Sequence, residues 1–176
     1  MVDLASLVVD VPDFPKPGVT FKDITPLIAS PAGLAAAVEG LVRASPGDID
    51  VVVGMEARGF IVGAPVALAL GVGFVPVRKP GKLPRASVSV TYDLEYGTET
   101  LAVHADAVRP GARVLVVDDV LATGGTVAAT AELVRRLGGT VAQVAVVMEL
   151  DFLGGRALLA EHGLHQVTAL ISSGPA

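Results

Sequence analysis

The chain has 176 residues, a length that suits one domain with a single sizeable core. Its formal net charge of −5 gives no general attraction to nucleic acids or anionic membranes, and its low aromatic content of 4% leaves few platforms for stacking single-stranded bases. The sequence has no cysteine, no run of about 18 apolar residues and no basic N-terminal region followed by an apolar one, which excludes disulfides and thiolate metal sites and predicts a cytoplasmic protein.

The first half of the chain reads as helix, strand, helix, strand. Ser30 and Pro31 have the residue types of a helix N-cap and first helical position. Apolar residues then recur on one helical face, at Leu34, Val38, Leu41 and Val42. Residues 49–53 and 73–77 are mostly apolar and contain valines, which predicts buried strands, and residues 60–70 between them predict an apolar helix.

The second half continues the alternation after a more polar segment. Residues 88–97 alternate in polarity and are followed by 99–103, which predicts a hairpin with one solvated face. Residues 114–117, 141–150 and 167–171 predict further strands. The helix predicted after the first of these strands carries apolar residues at helical spacing from Val127 to Leu137. Strands that alternate with helices predict an α/β fold with a doubly wound, mostly parallel sheet.

The segment 114–126 carries the strongest functional signal. Asp118 and Asp119 follow the apolar residues and are expected at the carboxyl end of their strand, the edge where open α/β sheets bind ligands. The next five residues are small or hydroxylated and lead into a helix: Ala122, Thr123, Gly124, Gly125 and Thr126. Glycines free the backbone to turn its N–H groups toward one point, and the helix N-terminus adds a positive dipole end, so the loop fits a phosphate monoester. The alternative is an ordinary strand-to-helix turn with acidic residues.

This segment resembles the phosphoribosyl pyrophosphate (PRPP) signature of the type I phosphoribosyltransferases. Other segments, at residues 14–26, 56–60, 77–84 and 94–97, are similar to those of the adenine phosphoribosyltransferase family, so the resemblance covers residues 12–156. It implies transfer of the 5-phosphoribosyl group from PRPP to adenine in purine salvage, giving AMP and pyrophosphate. It also implies a type I phosphoribosyltransferase fold: one domain over residues 1–176, with a small N-terminal hood at residues 1–30 that contributes to base recognition, and a flexible β-hairpin loop.

The resemblance assigns each part of PRPP to a group of residues. The 5'-phosphate falls to the loop 122–126, and Asp118 and Asp119 face the ribose hydroxyls, where a carboxylate stabilises positive charge that grows on the sugar. Pyrophosphate is expected to bind four cations, Arg58, Arg78, Lys79 and Lys82. Mg²⁺ is expected to arrive bound to PRPP, with no protein ligand firmly assigned. The alternative for the cations at 78–82 is a solvated loop.

The resemblance also assigns the adenine site and the quaternary structure. Phe21 lies against the purine ring, main-chain groups of Thr20 and Lys22 read its polar edge, and Leu150 closes the opposite face. Glu95 is the candidate for proton transfer from the attacking purine nitrogen and, with Arg58, Asp118 and Asp119, completes the catalytic set. On residue type alone a core or staple role is favoured for Phe21, and the alternative for Glu95 is an exposed glutamate in the hairpin. The family implies a homodimer.

Two other functions fit part of the pattern. One is a phosphoribosyltransferase for hypoxanthine, guanine, xanthine or a pyrimidine. The other is a non-catalytic PRPP-sensing regulator that binds RNA or DNA. Such a regulator is expected to have a basic surface or an appended DNA-binding domain, and the net charge of −5 and the short segment 1–30 favour neither.

Overall fold

The computed structural model describes residues 2–93 and 97–174, which form a parallel sheet between two layers of helices and two small antiparallel hairpins. The strands are β1 (Val9–Val11), β2 (Phe21–Asp23), β3 (Val51–Met55), β4 (Gly73–Val77), β5 (Ser87–Asp93), β6 (Thr98–His104), β7 (Arg113–Leu121), β8 (Thr140–Leu150) and β9 (Val167–Ser173). The helices are α1 (Thr25–Ala29), α2 (Pro31–Ala44), α3 (Arg58–Leu70), α4 (Gly125–Arg136) and α5 (Gly155–Glu161). Short 3₁₀ turns lie at Ala5–Leu7 and Asp151–Leu153.

The central sheet has five strands in the order β4-β3-β7-β8-β9, and every neighbouring pair is parallel. Along β7 the side chains alternate between two separate cores. Val114 and Val116 pack with α4 and α5 on one face, whereas Leu115 and Val117 pack with α1, α2 and α3 on the other. This burial on both faces explains the uninterrupted apolar strands, and the α/β, doubly wound, mostly parallel fold is confirmed.

Several local predictions are also confirmed. Ser30 Oγ accepts a hydrogen bond from the backbone N–H of Gly33 at 3.1 Å, and Pro31 is the first residue of α2. The predicted hairpin is present as β5 and β6, and Arg78 joins it to the end of β4 through paired backbone hydrogen bonds with Ala102. Among the described residues, no helix is long and apolar enough to cross a membrane.

Several strand boundaries differ from the prediction, among them the start of β3 and the end of β7. The first predicted strand begins at Val51 rather than at residue 49, because Asp50 turns its carboxylate to the backbone N–H of Arg113 at 2.8 Å. The strand predicted at 114–117, with Asp118 and Asp119 at its carboxyl end, is longer than predicted. The strand continues to Leu121 because β8 offers partners for it as far as Glu149, so both acids lie within the pairing and not beyond it.

Candidate active site

A cavity of about 590 Å³ opens at the carboxyl edge of the sheet, beside the ends of β7 and β8. Its lining comes from the N-terminal segment, the start of α3 and the ends of both strands: Gly18, Val19, Thr20, Phe21, Lys22, Arg58, Asp119, Val120, Ala122, Leu150, Phe152 and Leu153. Every residue predicted to bind adenine is in this set. A second cavity, of about 630 Å³, lies between the N-terminal segment and α2, and its lining includes none of the predicted site residues.

Phe21, on β2, forms one wall of the cavity. The ring of Phe14 meets it edge to face at a centroid distance of 5.2 Å, and the guanidinium carbon of Arg58 lies 5.5 Å from its centroid. Phe21 belongs to neither of the cores that the described residues form, so its interpretation as a core residue is wrong. Leu150 lines the same cavity, together with Phe152 and Leu153. Apolar walls with polar groups at the edge are typical of a slot for a flat heteroaromatic ring.

Asp119 and Arg58 meet at the floor of this cavity. Arg58 is the first residue of α3, and its Nε lies 2.7 Å from Asp119 Oδ2. The contact is an ion pair without hydrogen-bond alignment, since Asp119 Oδ2 has no hydrogen-bond partner among the described residues. Arg58 therefore covers the carboxylate by charge alone, and Asp119 keeps its capacity to accept a better aligned donor.

Asp118 lies in a different environment from its neighbour. It is buried, and its Oδ1 accepts a hydrogen bond from the backbone N–H of Asp119 at 3.0 Å. A Cβ at Gly59 would lie 2.6 Å from the same oxygen, so only glycine permits this approach of α3 to β7. Burial and the adjacent charge of Asp119 raise the pKa of Asp118 well above its usual value. The two acids are thus unlike, and Asp119 is the one on the large cavity.

The loop 122–126 joins β7 to α4 as predicted. A small cavity of about 70 Å³ lies inside it, lined by Asp118, Val120, Leu121, Ala122, Thr123, Gly124, Thr126 and Val127. Gly124 is the N-cap of α4 with φ of +89°, a conformation that favours glycine. Within the described chain no side chain caps this helix, so its first backbone N–H groups stay available to an anion.

The basic residues at 78–82 surround one partly buried acid, Glu56, which follows β3 and has a side chain that is 11% exposed. Arg78 Nε donates to Glu56 Oε2 at 2.8 Å, and the backbone N–H of Lys79 donates to Oε1 at 3.2 Å. Lys82 Nζ is 3.6 Å from the same carboxylate. Burial raises the pKa of Glu56, but the hydrogen bonds from Arg78 and Lys79 and the nearby cations outweigh it and hold the pKa below its usual range. Lys79 and Lys82 keep 54% and 53% of their side-chain surface exposed, so the segment is a solvated loop whose cations are already paired with carboxylates. Arg58 stands apart from this cluster on the cavity floor.

The β5–β6 hairpin connects the cation cluster to the phosphate loop. Lys79 Nζ donates to Glu99 Oε1 at 2.8 Å, and Tyr92 Oη donates to Glu99 Oε2 at 3.1 Å. The Tyr92 hydroxyl also lies 3.2 Å from Thr126 Oγ1. Sequence reasoning missed Glu56, Tyr92 and Glu99; only Glu56, directly after a buried strand, had a usable signal. Glu95 lies outside the described residues.

Comparisons with known proteins identify one family. The model of the family described as "Phosphoribosyl transferase domain" matches residues 22–157. The adenine phosphoribosyltransferase of Cutibacterium acnes is 60% identical over 169 residues, which are 96% of each chain. Among solved structures, adenine phosphoribosyltransferase from Thermoanaerobacter pseudethanolicus superposes with a TM-score of 0.92 at 48% identity, covering 97% of this chain and 98% of that one. The Saccharomyces cerevisiae enzyme, solved with an imino-altritol bisphosphate and adenine, gives a TM-score of 0.87 at 41% identity, covering 95% and 96% of the two chains.

Proposed function

Because the chain belongs to the phosphoribosyltransferase family, and within it to the adenine phosphoribosyltransferases, we propose that the cavity at the carboxyl edge of its sheet transfers the 5-phosphoribosyl group from PRPP to adenine. The products are AMP and pyrophosphate, and the reaction is a step of purine salvage. One observation carries the proposal: the slot between Phe21 and Leu150 opens directly beside Asp119 and Ala122. Base, ribose and 5'-phosphate therefore find subsites in the order in which AMP joins them.

The loop 122–126 binds the 5'-phosphate. Its backbone N–H groups and the uncapped start of α4 supply donors and a positive dipole end, and Thr123 and Thr126 add hydroxyl groups. Because these donors are part of a fixed turn, little conformational entropy is lost when the phosphate binds.

Asp119 acts on the ribose. The bond from C1 of the ribose to the pyrophosphate oxygen breaks, and a purine nitrogen bonds to C1. Positive charge grows on the sugar in the transition state, where the first bond is largely broken and the second is only partly formed. A carboxylate that accepts hydrogen bonds from the ribose hydroxyls stabilises that charge. Asp119 faces the cavity and retains an oxygen without an aligned donor among the described residues, which supports this role. Asp118 is buried beside Gly59 at the start of α3 and has a smaller part in sugar binding.

The leaving pyrophosphate is taken by Arg58, Arg78, Lys79 and Lys82. All four cations are paired with carboxylates, so pyrophosphate must displace the carboxylates of Asp119, Glu56 and Glu99 from them when it binds. An ion that arrives with PRPP would be held largely by substrate oxygens, and Asp119 is the carboxylate that lines the cavity. Mg²⁺ bound to PRPP would neutralise charge on the leaving group.

Adenine binds between Phe21 and Leu150, with the main chain of Thr20 and Lys22 at its polar edge. Glu95 takes the proton that the attacking purine nitrogen loses. The apolar lining close to Phe21 excludes water, which would otherwise compete with adenine for the ribosyl group.

A homodimer in the cytoplasm completes the proposal. Ile61, Ala64 and Leu68 share the exposed face of α3 at helical spacing, and Leu68 is 82% exposed. An apolar stripe of this kind on an exposed helix face is typical of an interface. Sedimentation of the wild-type chain and of Leu68→Glu tests it: the wild type should sediment as a dimer and the variant as a monomer.

An assay with purified protein, PRPP and Mg²⁺ tests the activity. AMP should form with adenine, and hypoxanthine, guanine, xanthine and uracil should give far less product. Asp119→Asn should lower turnover about a hundredfold while the thermal midpoint changes little. Product from another base in place of adenine would identify a different transferase, and tight binding of RNA or DNA without turnover would identify a regulator.

A further inference from the structure

An arginine–glutamate pair behind the cavity takes no part in the steps above. Arg156, in the first turn of α5, donates from Nε to Glu149 Oε1 at 3.1 Å and from Nη2 to Glu149 Oε2. Its Nη1 donates to the carbonyl oxygen of Val167 at 2.8 Å, which ties α5 to β9 as well. The Glu149 side chain is only 6% exposed, so the bidentate contact with Arg156 is its main source of charge stabilisation.

The pair closes residues 149–156 into a short loop with both ends fixed. Leu150, Phe152 and Leu153 lie within this loop and line the adenine slot. A second contact holds its middle, where Ser172 Oγ donates to the Asp151 carboxylate at 2.8 Å. The position of the apolar wall opposite Phe21 therefore depends on how residues 149 and 156 are held together.

The far end of the same loop packs against the phosphate loop without a gap. A Cβ at Gly155 would lie 2.2 Å from the carbonyl oxygen of Ala122, and a Cβ at Gly124 would lie 2.9 Å from the carbonyl oxygen of Gly155. Backbone meets backbone here, so a shift of α5 moves the phosphate loop with it.

We propose that Arg156 and Glu149 are a positioning pair that sets the spacing between the base wall and the 5'-phosphate loop, the subsites for the two ends of AMP. Three of the four cations assigned to pyrophosphate, Arg78, Lys79 and Lys82, contact Glu56 after β3, away from this pair, and keep their arrangement when it is broken. The inference rests on the proposed function for the identity of the ligands.

Calorimetric titration of Arg156→Met with AMP, and separately with pyrophosphate and Mg²⁺, tests the pair. AMP affinity should fall about tenfold, the equivalent of one charge-assisted hydrogen bond, while pyrophosphate affinity stays within about twofold of wild type. Arg113→Met is the matched control, because Arg113 Nε also pairs with a carboxylate, Asp48 Oδ2 at 2.8 Å, but at the opposite edge of the sheet. It should bind both ligands as the wild type does.

Two conservative variants keep the test decisive if Arg156→Met folds poorly. Arg156→Lys retains the charge but not the two parallel donors of the guanidinium, and Glu149→Gln retains one acceptor oxygen but loses the charge and the second acceptor. Each should lose part of the AMP affinity and none of the pyrophosphate affinity. Wild-type AMP affinity in all three variants, or equal loss for AMP and pyrophosphate, would overturn the proposal. Failure of the wild-type chain itself to bind AMP would instead overturn the proposed function.

Discussion

The phosphate loop and the cation cluster both bind phosphate groups, but they are built in opposite ways. The loop 122–126 relies on backbone N–H groups at an uncapped helix start, and its shape is fixed by Gly124 and by contact with Gly155. The cluster relies on long cationic side chains, each of which already holds a carboxylate. The phosphate loop is preformed, with N–H groups available to an anion. In the cation cluster, a phosphate group must instead displace the carboxylates already bound to the cations.

The difference suits the reaction. The 5'-phosphate stays on the sugar throughout and needs only a rigid anchor, which a backbone nest provides. Pyrophosphate must be bound and then released, and resident carboxylates that compete for the cations make its departure easier. Substitutions that act on one subsite only are therefore the sharpest tests of this division.

The largest effect is expected from Gly124→Ala. The new Cβ would lie 2.9 Å from the carbonyl oxygen of Gly155, and φ of +89° is costly for alanine. Displacing the loop should weaken AMP and PRPP binding about a hundredfold and leave pyrophosphate binding unchanged, as measured by calorimetry. Gly163→Ala, with φ of +75° and no heavy atom near the added Cβ, is the control for strain alone. Undisturbed AMP binding in Gly124→Ala would mean that the loop is not the 5'-phosphate anchor.

Arg78→Met should have a smaller effect on the other subsite. Arg78 is the aligned partner of Glu56, so its loss removes a cation and loosens the segment that carries Lys79 and Lys82. Affinity for pyrophosphate and PRPP should fall about tenfold, with AMP unaffected. Arg85→Met, which breaks an exposed pair with Asp106, should change none of these affinities. A loss shared by AMP would contradict the division into two subsites.

Glu99→Gln should change pyrophosphate affinity in the other direction. Glu99 holds Lys79 Nζ at 2.8 Å, and removing its charge frees the lysine for the ligand. We expect pyrophosphate to bind about twofold to threefold more tightly, in line with the modest energy of an exposed ion pair, and the gain to shrink at high salt. Glu132→Gln is the matched control, because Glu132 also pairs with a cation, Arg136, on α4. Weaker binding in Glu99→Gln would show that the resident carboxylate orients Lys79 and does not compete for it.

The smallest effect concerns stability and pH. Since burial and the charge of Asp119 raise the pKa of folded Asp118 above its unfolded value, the folded state holds more protons between these two values. Stability should therefore fall as the pH rises through that window and then level off. Asp118→Asn keeps an acceptor for the Asp119 N–H but does not titrate, so its thermal midpoint should exceed that of the wild type by a few degrees above the window and approach it at low pH. A difference independent of pH would contradict the assigned cause.

The sequence revealed the parts of the site that depend on neighbours in the chain. The phosphate loop was predictable because strand, glycines and helix follow one another within thirteen residues, 114–126, and the Ser30 cap because its partner is three residues away. The carboxylate network was not, since its contacts join residues 22, 20 and 34 positions apart, from Arg78 to Glu56, Lys79 to Glu99 and Tyr92 to Thr126. The end of β7 was misjudged for the same reason, because β8 decides how far it pairs.

The pairing of every cation in the pyrophosphate subsite also bears on how fast the substrate is captured. The subsite has four cations and three carboxylates, so its local net charge is only about +1, on a chain whose formal net charge is −5. Such a surface projects little positive potential beyond a Debye length of about 8 Å, so it does not steer a polyanion from a distance. The association rate of PRPP should accordingly vary little with ionic strength, and discrimination among anions falls to the dissociation step, after contact has been made.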